Sequence, residues 1–113
     1  MSARGESSGG AGDLSHGQVW WIDVDKVRPV VVLTRRRIAS RLTRILVAPV
    51  TTTVRGIPTE VPLGNAEGLM SGCVANLDNV QLIPANRLLR RAGVVAPARW
   101  PEFCRAMAAV LAC

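Results

Sequence analysis

Apolar positions in this chain fall into short runs that polar and glycine-containing segments separate. Residues 19–23 and 28–34 are rich in β-branched and aromatic side chains, which favour β-strands. The second run is almost continuously apolar, so it is predicted to be a central strand that is covered on both faces. Four further strands are predicted over residues 44–50, 58–63, 71–77 and 87–94. Connections are predicted over residues 34–43, 51–57, 64–68 and 78–84.

The C-terminal segment has a different, helical spacing. Its large apolar side chains recur at intervals of three and four residues, which predicts one helix over residues 97–111. The apolar face of this helix would comprise Trp100, Phe103, Cys104, Met107, Val110 and Leu111. Six strands followed by one helix exclude a doubly wound parallel sheet, which needs alternating helices. The chain is therefore predicted to be mainly β with a C-terminal helix, folded as a small, strongly bent antiparallel barrel.

The first sixteen residues lack this patterning. They are rich in Gly, Ser and Ala, so residues 1–16 are predicted to be a flexible tail and residues 17–113 a single domain. No apolar run approaches the roughly 18 residues that cross a membrane. Cys73, Cys104 and Cys113 have neither metal-ligand nor disulfide spacing, which suits a reducing cytoplasm. Cys73 and Cys104 are predicted to be small core residues.

The charge of the chain points towards phosphates. Lys and Arg total 14 against 8 Asp and Glu, which gives a net charge of +6, and Lys26 is the only lysine. A guanidinium group matches a phosphate with two parallel hydrogen bonds, so a nucleic acid or an acidic protein is the expected partner. A well-solvated basic surface is the alternative. The arginines expected to steer a polyanion are Arg35, Arg36, Arg37, Arg41 and Arg55.

The distribution of reactive residue types narrows the chemistry. His16, the only histidine, lies in the predicted tail, so catalytic templates based on histidine fail. The carboxylates are scattered and no phosphate-binding glycine motif is present, so neither a metal nor a cofactor is expected. Attack of a ribose 2′-hydroxyl on its neighbouring phosphate remains within reach of Arg, Thr and Ser. The substrate supplies the nucleophile, and the protein need only stabilise charge and manage two protons.

Five segments of the chain carry a family resemblance. They are residues 17–23 (GQVWWID), 28–33 (RPVVVL), 47–53 (VAPVTTT), 58–61 (PTEV) and 68–80 (GL to DNV). In order and sequence they resemble the MazF/PemK family of toxin endoribonucleases, over residues 17–111. The arginine-rich composition is similar to that of actinobacterial, mycobacterial-like members.

The resemblance implies a fold and an activity. The fold is an SH3-like antiparallel barrel of the MazF/Kid/CcdB type, assembled as a homodimer. The activity is metal-independent, sequence-selective cleavage of single-stranded RNA (mRNA, rRNA or tRNA), which leaves a 2′,3′-cyclic phosphate and a 5′-hydroxyl. Such a protein is the toxin of a type II toxin–antitoxin system in the cytoplasm and arrests growth. Its expected inhibitor is a MazE-like antitoxin that binds over the RNA groove.

The resemblance also implies roles for particular residues. The catalytic Arg of the family's RPV motif falls on Arg28, and the family's catalytic Thr falls on Thr51. The alternative for Arg28 is a structural ion pair with Asp23 or Asp25. The alternative for Thr51 is a loop hydroxyl that only satisfies nearby backbone. Further candidates for catalysis or RNA binding are Asn76, Asp78, Thr52 and Thr53.

Two other functions fit the same fold. A CcdB-like protein poisons DNA gyrase through its C-terminal residues, but this chain ends VLAC rather than Trp-Gly-Ile and carries the RPVVVL and PVTTT segments. A catalytically inactive RNA-binding barrel is the second alternative. Trp20 and Trp21 must face opposite sides of their strand. One of them is expected in the core, and the other in a dimer contact, in ordinary packing or stacked on a base.

Overall fold

Antiparallel strands make up most of the fold. The computed structural model describes residues 12–39 and 43–112, and within these ranges nine strands precede one α-helix. The strands are β1 (Gly12–Leu14), β2 (Gln18–Asp23), β3 (Val27–Val32), β4 (Arg37–Ala39), β5 (Arg44–Thr51), β6 (Glu60–Leu63), β7 (Cys73–Asn76), β8 (Gln81–Pro84) and β9 (Leu88–Val94). The helix is α1 (Trp100–Val110). The predicted class, mainly β with a C-terminal helix, is confirmed.

One seven-stranded sheet organises the molecule. Its strand order is β6-β7-β5-β3-β2-β9, and β8 pairs with β5 beside β7. All of these pairings are antiparallel. β3 lies in the interior of the sheet, as its continuously apolar sequence predicts. β6 lies at an edge, where Pro62 removes no hydrogen bond that the sheet needs.

The two faces of the sheet bury separate apolar clusters. One cluster contains Val31, Ala48 and Phe103, and it packs the sheet against α1. The other contains Trp20, Val30 and Val47 on the opposite face. Neighbouring residues of a strand point to opposite faces, so β3 and β5 each contribute side chains to both clusters. This double burial explains why neither strand shows the simple alternation of a half-exposed strand.

The predicted flexible tail is wrong for its last residues. Gly12–Leu14 forms β1, which pairs with β4 in a separate two-stranded sheet. The Leu14 side chain is completely buried in the cluster with Trp20. The His16 ring lies 4.7 Å from the Trp100 ring. Burial of Leu14 therefore holds the chain in place three residues before Gly17, while residues 1–11 lie outside the described part.

Two predicted connections contain strands. Arg37–Ala39, within the expected basic connection, is β4 and pairs with β1. Residues 78–84 were expected to form a turn, but only Leu77–Asn79 makes a 3₁₀ turn, and Gln81–Pro84 is β8. β8 pairs with β5 from Arg44 to Val47. Long-range pairing with β5 overrides the weak local preference of the β8 sequence.

The helix packs through a narrower face than its spacing suggests. Phe103 and Ala106 are buried, whereas Cys104 and Leu111 are exposed. The prediction that Cys104 is a core residue is therefore wrong, because the inward side of α1 is centred on Phe103 and Ala106. Cys73 is buried as predicted. In the described part of the chain, no helix has both the length and the apolar character needed to cross a membrane.

Candidate active site

The site lies where β3 and β5 separate. The two strands pair Val32 with Val47 and Val30 with Pro49, and the ladder ends there. The next hydrogen-bonded rung would join Pro29 to Val50, but Pro29 has no N–H to donate. β5 continues by pairing with β7 on its other edge. Continuing the β3–β5 register by two residues would set Arg28 opposite Thr51, so the parted strand ends bring these two positions to one opening.

An open pocket of about 490 Å³ occupies this opening. Among its lining residues within the described ranges, Lys26, Arg28 and Arg55 are cationic and none is acidic. Apolar side chains form another part of the lining, including Trp21, Leu69 and Met70. The remaining lining residues are Pro29, Pro49, Val50, Thr51, Thr52, Thr53, Cys73, Asn76 and Asn79. A cationic opening with a partly apolar wall suits a nucleotide chain better than a small uncharged metabolite.

Arg28 has spare hydrogen-bonding capacity. Its Nη2 lies 3.4 Å from Asp25 Oδ1, in a pair whose Asp25 side chain is 76% exposed. The expected alternative, an ion pair with Asp25, is therefore present but weak. The Nε of Arg28 is buried and donates to no group in the described part of the chain. A buried donor without a partner carries a desolvation cost, so the fold itself does not fully satisfy this guanidinium.

Thr51 is oriented by the backbone after it. Its Oγ1 accepts a hydrogen bond of 3.0 Å from the Thr53 N–H. This bond is the loop-satisfying role that the sequence left open for Thr51. It uses only the acceptor side of the hydroxyl, so the hydroxyl hydrogen remains available to a ligand. Thr51 is half-buried at the end of β5, and Thr52 and Thr53 extend the polar lining.

Two loops complete the rim of the pocket. The Glu60 carboxylate accepts hydrogen bonds from the backbone N–H groups of Arg55 and Gly56, at 2.9–3.2 Å, and so holds the loop that carries Arg55. The loop that carries Leu69 and Met70 is held by close backbone packing of Gly68 against β9. Gly68 has a φ of +83°, and a Cβ there would overlap the Ala92 carbonyl.

Cys73 and Met70 are linked at the same rim. The single S–H of Cys73 is shared between two carbonyl acceptors, those of Met70 at 3.2 Å and Leu63 at 3.4 Å. Burial raises the pKa of the Cys73 thiol, so it stays protonated and unreactive. Cys73 therefore acts as an apolar lining residue rather than as a nucleophile.

Asn76 directly precedes a short 3₁₀ turn, and Asp78 lies within that turn. Asn76 is buried, lines the pocket and caps the turn, because its Oδ1 accepts the Asp78 N–H at 2.9 Å. Asp78 is not among the lining residues, and its Oδ2 accepts the Thr59 hydroxyl at 2.6 Å. The structure thus brings Asn76 to Arg28 and Thr51, but it does not bring Asp78 there.

Part of the predicted basic surface lies away from the pocket. Among its arginines whose side chains are described, Arg55 alone lines the opening. Arg35 and Arg36 are exposed elsewhere, and Arg36 pairs with Asp13. The backbone of Arg37 lies in β4, and Arg41 falls outside the described residues. Sequence reasoning missed Lys26 and Asn79, although Lys26 is only two residues from Arg28 and could have been found from that spacing.

Comparison with known proteins decides between the functions that share this fold. Residues 15–111 match the family described as PemK-like, MazF-like toxin of type II toxin-antitoxin system. The chain belongs to the PemK/MazF toxin family. The CcdB-like alternative is not favoured.

Relatives in Mycobacterium tuberculosis agree with this assignment. The chain is 43% identical to a protein named Endoribonuclease MazF3 over 84 residues, which is 74% of this chain and 82% of the relative. It is 37% identical to Probable endoribonuclease MazF5 over 102 residues, covering 88% of this chain and 94% of the relative. The prediction of an RNA-cleaving toxin of this family, with mycobacterial-like sequence, is confirmed.

Solved structures agree with the fold. Mycobacterium tuberculosis toxin MazF-mt6 is 38% identical, with a TM-score of 0.78, over 84% of this chain and 96% of that one. An endoribonuclease solved in complex with its cognate antitoxin, from a mycobacterial species, is 28% identical, with a TM-score of 0.74, over 88% and 95%. The PemK/MazF architecture therefore accounts for nearly all of the described chain.

Proposed function

We propose that this PemK/MazF protein cleaves single-stranded RNA without a metal, and that Arg28 and Thr51 carry the reaction. The 2′-oxygen of a ribose attacks its neighbouring phosphorus while the bond from phosphorus to the 5′-oxygen breaks. The 2′-hydroxyl loses one proton and the leaving 5′-oxygen gains one. The products are a 2′,3′-cyclic phosphate and a 5′-hydroxyl, and no other reactant is consumed.

The observation that carries this proposal is the unpartnered Nε of Arg28 at the cationic pocket. A guanidinium held by a strand can give two parallel hydrogen bonds to phosphoryl oxygens, and these bonds strengthen as charge grows in the transition state. Lys26 and Arg55 add positive charge along the path of the chain. A second hollow of about 250 Å³ also has Arg28 in its lining, so RNA on either side of the cleaved phosphate has room.

Thr51 supplies the second contact in this proposal. Its hydroxyl is oriented through the Thr53 N–H and donates its hydrogen to a phosphoryl oxygen. A threonine hydroxyl does not ionise near pH 7, so its contribution is positioning and proton relay rather than base strength. Water that enters the open pocket exchanges the two protons with solvent. Asn76 and the Thr52 and Thr53 side chains contact the RNA on either side.

The test is direct sequencing of RNA ends after incubation with the purified protein in EDTA. We expect new 5′-hydroxyl ends at a restricted set of sequences, with cyclic phosphate on the matching 3′ ends. Cleavage that stops in EDTA and returns with magnesium would contradict the metal-independent mechanism. Binding of RNA without any new ends would instead favour the inactive RNA-binding barrel.

We also propose that a MazE-like antitoxin blocks this pocket. A relative of 28% identity was solved with its cognate antitoxin, which supports a protein inhibitor here. The cationic lining favours an acidic segment with a few apolar anchors, folding as it binds. RNA binding by the Arg28→Ala variant, which is expected to cleave very slowly, should fall as antitoxin is titrated in. Simultaneous binding of both at saturation would exclude a shared pocket.

The oligomeric state and the cellular location of the protein are two further proposals. We propose a homodimer, which light scattering of the purified protein will test. We propose a cytoplasmic location, since the substrate would be cellular mRNA, rRNA or tRNA. A monomer that cleaves RNA at the full rate would remove the dimer from the mechanism.

A further inference from the structure

Asn76 is an unusual polar group in this fold. In the described ranges, the only buried polar or charged residues are Glu67 and Asn76. Both oxygens of Glu67 are engaged, by Gly64 N–H and by Arg99. Asn76 is 5% exposed and uses only its Oδ1, which accepts the Asp78 N–H. The Asn76 amino group donates to no group in this part of the chain, yet the residue lines the pocket.

The hydrogen bond to Asp78 fixes which end of the amide a ligand meets. A backbone N–H can donate only to the oxygen of the amide, so Oδ1 must face the 3₁₀ turn. The Nδ2 amino group is therefore the end left for the pocket. It offers a ligand two N–H donors, while its oxygen is already in use. A donor held in this way selects ligands that present an acceptor.

The surroundings favour a base rather than a phosphate as that ligand. Val50, Leu69 and Met70 give the pocket an apolar wall, on which a phosphate charge would lose hydration. The volume of about 490 Å³ is far larger than one phosphate group needs and lies within the range of small-molecule sites. A neutral amide also adds little to the phosphate contacts already offered by the cationic side chains.

We propose that Asn76 reads one nucleobase next to the cleaved phosphate, by donating from Nδ2 to the carbonyl at C4 of uracil or at C6 of guanine. This inference rests on the proposed function and adds a specificity-determining residue to it. A keto base, uracil or guanine, is selected at that position. Cytosine and adenine present an amino group at the corresponding edge, and that group would meet the Asn76 amino group donor to donor.

Reversal of the donor tests this inference. Asn76→Asp keeps an oxygen for the Asp78 N–H but replaces the donor with an acceptor. Asn79→Asp is the matched control, since it adds the same charge at another residue lining the pocket. Each protein cleaves, at pH 8, a pool of single-stranded RNA that is randomised around the cleavage site, and 5′-hydroxyl ends are sequenced. We expect the wild type to prefer a keto base at one position, and Asn76→Asp to shift that ratio towards amino bases by about tenfold.

The outcomes separate this inference from the proposed function. A wild type that makes no 5′-hydroxyl ends overturns both. Cleavage in which Asn76→Asp shifts the base ratio no more than Asn79→Asp overturns the inference alone. If Asn76→Asp is too slow to measure, the wild type is tested on RNA whose base carbonyl is replaced by hydrogen at the preferred position. A loss of about tenfold supports the proposal, and an unchanged rate overturns it.

Discussion

Two arginines of this protein occupy contrasting regions. Arg99, just before α1, donates to Glu67, to Glu102 and to the Pro62 carbonyl, at 2.7–3.1 Å. Arg28, at the pocket, has one exposed ion pair and a buried Nε without a partner in the described chain. The two side chains have similar exposures of 30% and 35%. Burial alone therefore does not distinguish an arginine that holds the fold from one whose guanidinium still has a donor without a partner.

The difference lies in how completely each guanidinium is satisfied. The Arg99 region joins α1 to β6 and to the loop after it, and four of the five N–H groups of the Arg99 guanidinium have acceptors. The Arg28 region lies where the β3–β5 ladder ends at a proline, and the Nε of Arg28 has no partner among the described residues. Unfilled hydrogen-bonding capacity in a rigid frame is what a site for transition-state binding requires.

The sharpest test of this comparison removes Arg28. Arg28→Ala should lower the rate of RNA cleavage by on the order of 100-fold or more, because a fixed donor to the transition state is lost. Its stability to urea should change by less than about 1 kcal/mol, because the only ion pair lost is exposed. Arg44→Ala, an exposed arginine at the far end of β5, is the matched control and should keep full activity. Equal losses in both variants would show general charge rather than a specific contact.

Thr51 should show the same pattern on a smaller scale. Thr51→Ala should slow cleavage about tenfold, which corresponds to one neutral hydrogen bond. The control is Thr34→Ala, since Thr34 Oγ1 also accepts one backbone N–H, from Leu46 at 2.7 Å. Both variants should lose similar stability, and only Thr51→Ala should lose activity. Rescue of cleavage by Thr51→Ser would assign the effect to the hydroxyl, whereas failure of Ser to rescue would contradict that role.

Arg99 should behave in the opposite way. Arg99→Ala leaves the Glu67 carboxylate, only 4% exposed, without its charge partner. We expect a loss of about 2 kcal/mol in unfolding free energy. This loss is smaller than is usual when one partner of a buried ion pair is removed, because the Gly64 N–H still donates to Glu67. Cleavage per folded molecule should stay unchanged. Urea denaturation measures the first effect, and adding Glu67→Gln to the variant should recover part of it. A tenfold loss of rate in fully folded protein would contradict the division of roles.

The amino-acid sequence predicts the central strand and the helix more clearly than it predicts the short strands β1 and β8. β3 is predicted because its apolar run is continuous, and α1 because its apolar spacing is helical. β1 is missed because three residues in a glycine-rich stretch carry no periodicity, and only the distant pairing with β4 makes them a strand. β8 is missed for a similar reason, since its partner β5 lies more than thirty residues earlier.

The candidate site also has some features that the sequence predicts and others that only the folded structure reveals. Arg28 and Thr51 lie within motifs that can be read along the chain. The separation of β3 from β5 depends on the register in which the two strands pair. The Nε of Arg28 lacks a partner because no described acceptor packs against it. The Asn76 amide is fixed by Asp78, two residues away, but its burial comes from the packing of β7. Spacing identifies reactive residues, and only tertiary packing decides which of them remain unsatisfied.

The smallest expected effect concerns pH and the Arg99 region. The hydrogen bond from Arg99 lowers the pKa of Glu102, against a smaller opposing effect of burial, and the charges of Arg99 and Arg105 lower it further. A carboxyl group whose pKa is lower in the folded state stabilises the protein above its unfolded value, about 4.3, and loses this contribution as the pH falls through the folded value. The contribution is below about 1 kcal/mol, since both side chains are about one-third exposed.

Thermal unfolding of wild type and Glu102→Gln between pH 3 and pH 7 isolates this contribution. The wild type should be the more stable protein at pH 7, and the difference should shrink steadily below pH 4.5, because only the wild type has this carboxyl group to protonate. RNA cleavage at pH 7 should be the same in both, since Glu102 does not line the pocket. A stability difference that stays constant down to pH 3 would show that Glu102 contributes packing rather than charge, and Glu67 would then be the one charged partner that stabilises the Arg99 region.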